Sequence, residues 1–221
     1  MLIGIWQPMS ETGRPLYRHY GFSTRACGII CLHFSSGREV WLVLKYRASG
    51  PDDTRRLGAA VGRLVGPGDV VCLVGDLGAG KTVLVQGVAA GMGVRGRVTS
   101  PTFTIIHEHP GKVPLYHIDA YRLDGASDAE TVGLEECLYG QGVAAVEWGE
   151  RVHDLLPDER LDVEIRIPGD SVGEGAAGGE RNDAGESEGR GEDTREIVLA
   201  PRGERFRRMV EELKTLAGDG D

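Results

Sequence analysis

The hydrophobic positions of this chain alternate between two periods. From Ser49 onward, Thr54, Leu57, Val61, Leu64 and Val65 recur at the three- and four-residue spacing of one helix face, after a Ser49–Asp52 start with Ser-x-x-Asp capping spacing. Gly66-Pro67-Gly68-Asp69 breaks that helix, and Val70 to Val74 follows as an unbroken apolar run with the length of a buried strand. Helical spacing resumes at about Lys81 and stops in the glycine-rich stretch from Gly91 to Gly96. Thr99 to His109 reads as a polar turn followed by a β-prone run. Val113–Asp119 and Gly142–Trp148 are short apolar strands that carry acids at their ends, Asp119 and Glu147. Leu161–Ile167 alternates like a strand with one wet face, and Arg195–Pro201 resumes strand character. The stretch from Gly203 to Leu216 predicts a closing amphipathic helix with Phe206, Met209, Val210 and Leu213 on one side.

Two segments lack such patterning. Residues 1 to 44 hold one strong apolar run, Gly28–Phe34. They read either as a weakly ordered extension or as an over-extended gene model, because Gly37–Val40 can be encoded by a purine-rich string resembling a ribosome-binding site just before Val43 and Leu44. Residues 170–194 are rich in Gly, Glu and Ser and carry too little apolar surface to order themselves, so they read as a disordered insert between two paired strands. The expected organisation is a single domain formed by residues 45–169 and 195–217.

Composition narrows the class. No apolar run approaches the ~18 residues of a membrane span. The first residues, "MLIGIWQPMSETGR", lack the charged start, apolar centre and cleavage site of a secretory signal, so the expected location is the cytoplasm. The net charge of −9 argues against direct, tight binding to DNA or RNA through a basic face. Eight acids against two arginines between residues 169 and 193 contribute −6 of it. Cys27, Cys31, Cys72 and Cys137 lack zinc-ligand spacing and read as free thiols, Cys72 as a core residue.

The chemistry concentrates between the first apolar strand and the helix after it. Gly75-Asp76-Leu77-Gly78-Ala79-Gly80-Lys81-Thr82 fits the phosphate-binding loop pattern at every fixed position, with Val83 continuing into the helix. Glycines let successive N–H groups turn inward around a phosphate, Lys81 adds a charge for the β- and γ-phosphates, Thr82 offers a hydroxyl to Mg²⁺, and the helix N-terminus faces the anion. Such a loop needs an acid at the end of a neighbouring strand for Mg²⁺ or its waters, and both Asp119 and Glu147 qualify, although each can also serve as a turn residue. Glu147 is also the candidate to accept a proton from an attacking water. Trp148 suits either stacking over the site or core packing. Thr99, Ser100, Pro101 and Thr102 suit either a switch at the γ-phosphate or ordinary turn capping. His107, His109 and His117 have no metal-like partner set and read as strand residues with solvated tips.

"DTRRLGAAVGRLVGPGDVVCLVGDLGAGKT", "VTSPTFTIIHEH", "LYHIDAYRL" and "AVEWGER", in that order and spacing, resemble the bacterial TsaE (YjeE) family, over about residues 45–169 and again over 195–216. The resemblance implies an α/β, three-layer P-loop NTPase-like fold with a central mixed sheet flanked by helices. It implies a Mg²⁺-dependent ATPase required for threonylcarbamoyladenosine modification of tRNA, acting on the TsaD and TsaB proteins rather than transferring the group itself, and meeting tRNA only indirectly. By the same resemblance Lys81 and Thr82 lie in the P-loop, Asp119 and Glu147 surround Mg²⁺, Ser100–Phe103 is the switch-like block, and Trp148 and Glu150 belong to the EW-x-E block. On the residues alone, a small-molecule kinase and a nucleotide-gated binding module remain alternatives. A kinase adds an arginine-bearing lid, and Arg95, Arg97 and Arg122 are its only candidates.

Overall fold

The apolar run Val70–Val74 is buried almost throughout, as it must be in a strand with parallel neighbours on both sides and helices on both faces. In the computed structural model, which describes residues 30–36, 39–101, 104–123, 126–168 and 193–218, this run is the third of eight strands. They are β1 (Ile30–Ser36), β2 (Glu39–Ala48), β3 (Val70–Val74), β4 (Ile106–His109), β5 (Leu115–Asp119), β6 (Val143–Glu147), β7 (Arg160–Arg166) and β8 (Arg195–Arg202). The sheet order is β1-β2-β8-β7-β3-β6-β5-β4. The four central strands, β7, β3, β6 and β5, run parallel, and the flanking pairs are antiparallel. Strand β2 runs through the boundary expected at residues 44 and 45, with Leu44 opposite Leu199. The expectations for residues 1–29, for Thr102 and for most of the acidic insert lie outside the described residues.

Helices α1 (Pro51–Leu64), α2 (Lys81–Gly91) and α5 (Gly203–Gly218) cover one face of the sheet around Leu57, Val61, Leu84, Val88 and the α5 stripe Phe206, Met209, Val210 and Leu213. On the other face, α3 (Ala126–Thr131), α4 (Leu134–Leu138) and two short 3-10 segments, Ala120–Arg122 and Gly149–Leu155, enclose a second core around Ile118, Leu134, Leu138, Val146 and Val152. The α/β three-layer arrangement with a central mixed sheet is therefore as the sequence implied. Among the described residues no helix is long and apolar enough to cross a membrane.

Two details of α1 differ from the pattern reading. Ser49 does not cap the helix through its side chain; Asp53 does the work in reverse, its carboxylate accepting from the Ser49 backbone N–H at 2.8 Å, while Asp52 pairs with Arg55. The apolar stripe also accounts for only part of the helix contact. Gly58 and Gly62 of α1 face Gly87 and Gly91 of α2 so closely that a Cβ on Gly62 would lie 2.1 Å from the Val88 carbonyl oxygen, and one on Gly87 2.2 Å from that of Arg55. That contact fixes α2, and with it the loop from which α2 starts, against α1.

Candidate functional site

The glycine loop leaves β3 at the carboxyl edge of the parallel strands, where ligands bind in open α/β sheets. Gly75, Gly78 and Gly80 have φ of 147°, 80° and 107°, a region open to glycine and costly to other residues. A Cβ on Gly75 would strike the Ile165 carbonyl oxygen at 2.3 Å, so the loop is seated directly on β7. The Lys81 side chain is only 5% exposed. Its Nζ donates to the carbonyl oxygens of Gly75 at 2.5 Å and Asp76 at 2.9 Å, and stands 3.7 Å from the centre of the Trp148 ring. Burial pulls the lysine pKa below its ordinary value, while Glu147, Glu150, Asp119 and Asp76 oppose the shift. Leu77, 87% exposed at the loop tip, presents its side chain to solvent.

The two strand-end acids meet at this loop because β5 and β6 are parallel and in register. Asp119 pairs with Glu147, which pairs in turn with Leu73 of β3. Glu147, 4% exposed, accepts at Oε1 from the Thr82 hydroxyl at 2.8 Å. The carboxylate of Asp119 accepts from the Tyr121 backbone N–H at 3.1 Å and from the Ser100 hydroxyl at 3.3 Å. It is thus both the cap of a 3-10 turn and the point where the Thr99–Pro101 segment touches the site. Thr99 is exposed beside it. Val83, the third residue of α2, is half-buried.

Trp148 adopts a left-handed backbone with φ of 61°, and its ring packs 5.0 Å from that of Tyr121. The indole therefore lies over Lys81 while also packing against the edge of the second core. The turn is held from below, since a Cβ on Gly149 would fall 2.2 Å from the Cys72 sulfur, and the buried Cys72 thiol is held firmly protonated by its apolar surroundings. The Glu150 carboxyl is pushed above its ordinary range by partial desolvation first and by Asp76, against the pull of its own backbone hydrogen bond, Lys81 and Arg151.

One expectation is overturned. His109 and His117 are not strand residues with solvated tips; both are buried, and only His107 is exposed. His117 Nε2 lies 2.7 Å from Glu147 Oε1. A carboxylate oxygen accepts, so Nε2 carries the proton. Two donors, Thr82 and His117, thus converge on one oxygen of Glu147. The signal was present in the two-residue strand period, which puts His117 and Asp119 on the same face of β5. His109 rests with its ring centre 6.3 Å from that of His117, and its pKa is lowered by burial and then by His107 and His117.

The residues fit a nucleotide polyphosphate with a hard divalent ion. A buried cationic amine satisfied only by loop carbonyls can exchange them for phosphate oxygens, and nothing lies within 4 Å of where a Cβ would sit on Gly78 or Gly80. The donors available to a metal are a hydroxyl and carboxylates, the oxygen set that suits Mg²⁺. Among the described residues no group of three His, Cys, Asp or Glu side chains could hold a metal ion by itself. An ion here would therefore depend on Thr82, an acid and the nucleotide's own oxygens.

Residues 48–172 match the family model of TsaE, threonylcarbamoyl adenosine biosynthesis protein TsaE. The chain belongs to the TsaE family. It is 39% identical over 171 residues to the tRNA threonylcarbamoyladenosine biosynthesis protein TsaE of Bacillus subtilis, covering 77% of this chain and 93% of that protein. Its similarity to the TsaE of Treponema pallidum is 47% identity over 118 residues, 53% of this chain and 87% of the relative. The crystal structure of YdiB from Bacillus subtilis superposes with a TM-score of 0.61 at 35% identity, over 80% of this chain and 98% of that one. The TsaE match includes the P-loop, both acids, Trp148 and His117, and stops short of β8.

Proposed function

We propose that this chain binds ATP with Mg²⁺ at Gly75–Thr82 and hydrolyses it in support of tRNA threonylcarbamoyladenosine biosynthesis, acting on TsaD and TsaB partners rather than on tRNA directly. The observation that carries the reading is the convergence of buried Lys81, Glu147 and Asp119 with half-buried Thr82 at the mouth of a glycine loop with the geometry of a phosphate cradle. Membership of the TsaE family supplies the biological setting, the one for which its relatives are named.

Mg²⁺, when bound, neutralises charge on the β- and γ-phosphate oxygens. The chain's own residues do the rest. The loop N–H groups and Lys81 hold the β- and γ-phosphates, with Lys81 exchanging the Gly75 and Asp76 carbonyls for them. Thr82 would offer a hydroxyl lone pair to the ion while its proton stays donated to Glu147. Glu147, held in place by Thr82 and His117, is the base that orients and deprotonates the attacking water, and Asp119 would hold a water of the ion. Trp148, lying over Lys81, shields the reacting end from solvent. Arg95, Arg97 and Arg122 are all exposed and distribute over a loop and a 3-10 turn, which favours water over a sheltered phosphoryl acceptor.

The test pairs two variants in ATP titrations and in a tRNA modification assay reconstituted with TsaD and TsaB. Lys81→Ala should weaken ATP binding by about ten- to a hundredfold, the loss of one charge-assisted contact. Glu147→Gln should bind ATP within about threefold of the parent while its turnover falls by about a hundredfold or more, and modification should fail with it. Retained modification by Glu147→Gln would leave a nucleotide-gated binding module, and phosphoryl transfer to a metabolite faster than hydrolysis would leave a kinase.

A further inference from the structure

The glycine loop is held from outside by a residue far from every motif that identifies it. Arg195, the first residue of β8, donates from Nε to the Ala79 carbonyl oxygen at 3.1 Å, across 116 residues of sequence, and anchors its own Nη1 on the Thr194 carbonyl at 2.9 Å. The Ala79 carbonyl shares one planar trans peptide with the Gly80 N–H, so the two point in opposite directions. Fixing the oxygen outward aims the N–H inward.

That peptide has little else to hold it. Other peptides of the loop have partners within the loop: the Gly75 and Asp76 carbonyls accept from Lys81, and the Ala79 N–H donates to the Asp76 carbonyl at 3.1 Å. Rotation of the Ala79–Gly80 peptide turns on ψ of Ala79 and φ of Gly80, and glycine at 80 imposes no steric barrier, since a Cβ there would meet nothing within 4 Å. Moreover, Lys81 gives up its two carbonyls when it turns to a phosphate, whereas the Arg195 contact lies on the outer side of the loop and survives.

We infer that Arg195 is a positioning residue for nucleotide binding: it pins the Ala79–Gly80 peptide so that the Gly80 N–H is already directed at the β-phosphate before the ligand arrives. The inference rests on the nucleotide reading above. It assigns a role in the site to a residue on β8, beyond the 48–172 segment that the family model matches. Because the donor is Nε, the contact requires a hydrogen bond at that atom and not the guanidinium charge. Glutamine places an amide N–H donor the same number of bonds from the backbone without the charge, and methionine keeps the length and removes the donor.

The experiment titrates full-length wild type, Arg195→Met and Arg195→Gln with ATP, ADP and AMP in Mg²⁺ buffer, with thermal melts of each apo protein and steady-state ATP turnover. Arg195→Met should weaken ATP and ADP by the same factor, about tenfold, since both carry the β-phosphate; turnover at saturating ATP should stay within about twofold, as expected when binding common to ground and transition state is lost. Arg195→Gln should return both affinities to near the parent. Unchanged affinities in Arg195→Met, or an Arg195→Gln protein as weak as Arg195→Met, would overturn the assignment, and so would weakened binding accounted for by an unfolded fraction in the melts. A wild-type chain that binds neither ATP nor ADP would overturn the nucleotide reading itself, a result separable from the first because it appears before any variant is compared.

Discussion

His117 shows what a single residue can add to a loop motif. The P-loop is legible because eight consecutive residues carry it, and local backbone chemistry dictates their types. His117 is thirty residues from Glu147 and touches it only because β5 and β6 pair in register. The Thr82 hydroxyl donates its one proton to an oxygen of Glu147, and His117 is the second donor that fixes the carboxylate at that same oxygen. His117→Leu should therefore lower turnover by about tenfold or more while ATP affinity stays within about threefold, and His117→Gln, whose amide nitrogen lies the same number of bonds from the backbone, should recover most of the loss. Steady-state ATP turnover beside calorimetric ATP titration separates the two quantities. A variant whose turnover per nucleotide-binding site matches the parent would reduce His117 to packing. Trp148 was ambiguous for a related reason: its spacing says nothing about which side of the strand end it turns to, and its left-handed backbone decides that it covers Lys81.

At the scale of elements, an apolar period or an apolar run located α1, β3, α2, β5, β6, β7, β8 and α5, because each buries a stripe, a face or both faces in a way that leaves a count in the sequence. The contact between α1 and α2 left no such count. Gly58, Gly62, Gly87 and Gly91 each cost helix stability relative to alanine, and a search for apolar periodicity passes over them. Their four-residue spacing on both helices is what lets the backbones approach. Gly62→Ala or Gly87→Ala puts a methyl carbon about 2 Å from a facing carbonyl oxygen, a distance no side chain relaxation can cure because the obstacle is backbone. The gain in helix propensity, roughly 1 kcal/mol, is smaller than the overpacking cost of about 1–3 kcal/mol per site where the helices must separate. Urea unfolding should show the midpoint falling with the slope unchanged. A midpoint at or above that of the parent would mean that the two helices are free to slide apart.

At the scale of the whole molecule, strand order is the feature that no local pattern encodes. Nothing in the period of β8 says that it lies between β2 and β7, yet this placement brings Arg195 to the loop and sets Arg166 directly opposite Glu196. That register has a consequence for residues 167–194. Antiparallel neighbours with opposed ends need only a short hairpin connection of about two to five residues, and the composition of residues 169–192 supplies almost no apolar surface with which to repay a longer one. Replacing residues 169–192 by a short Gly-Ser turn, with Thr194 and Arg195 kept, removes most of a loop-closure cost that grows as the logarithm of length, worth about 1–2 kcal/mol for such a shortening. It also removes seven acids and two arginines in residues 170–192, a local charge of −5. The shortened chain should melt no lower than the parent and bind ATP within about twofold, because Gly75–Thr82, Asp119 and Glu147 all lie outside the replaced stretch and Arg195 is kept. Melting in parallel with ATP titration checks both halves. A fall in ATP affinity without a fall in melting temperature would show that the acidic segment acts on the nucleotide site, and a drop in both would show that it is part of the folded core.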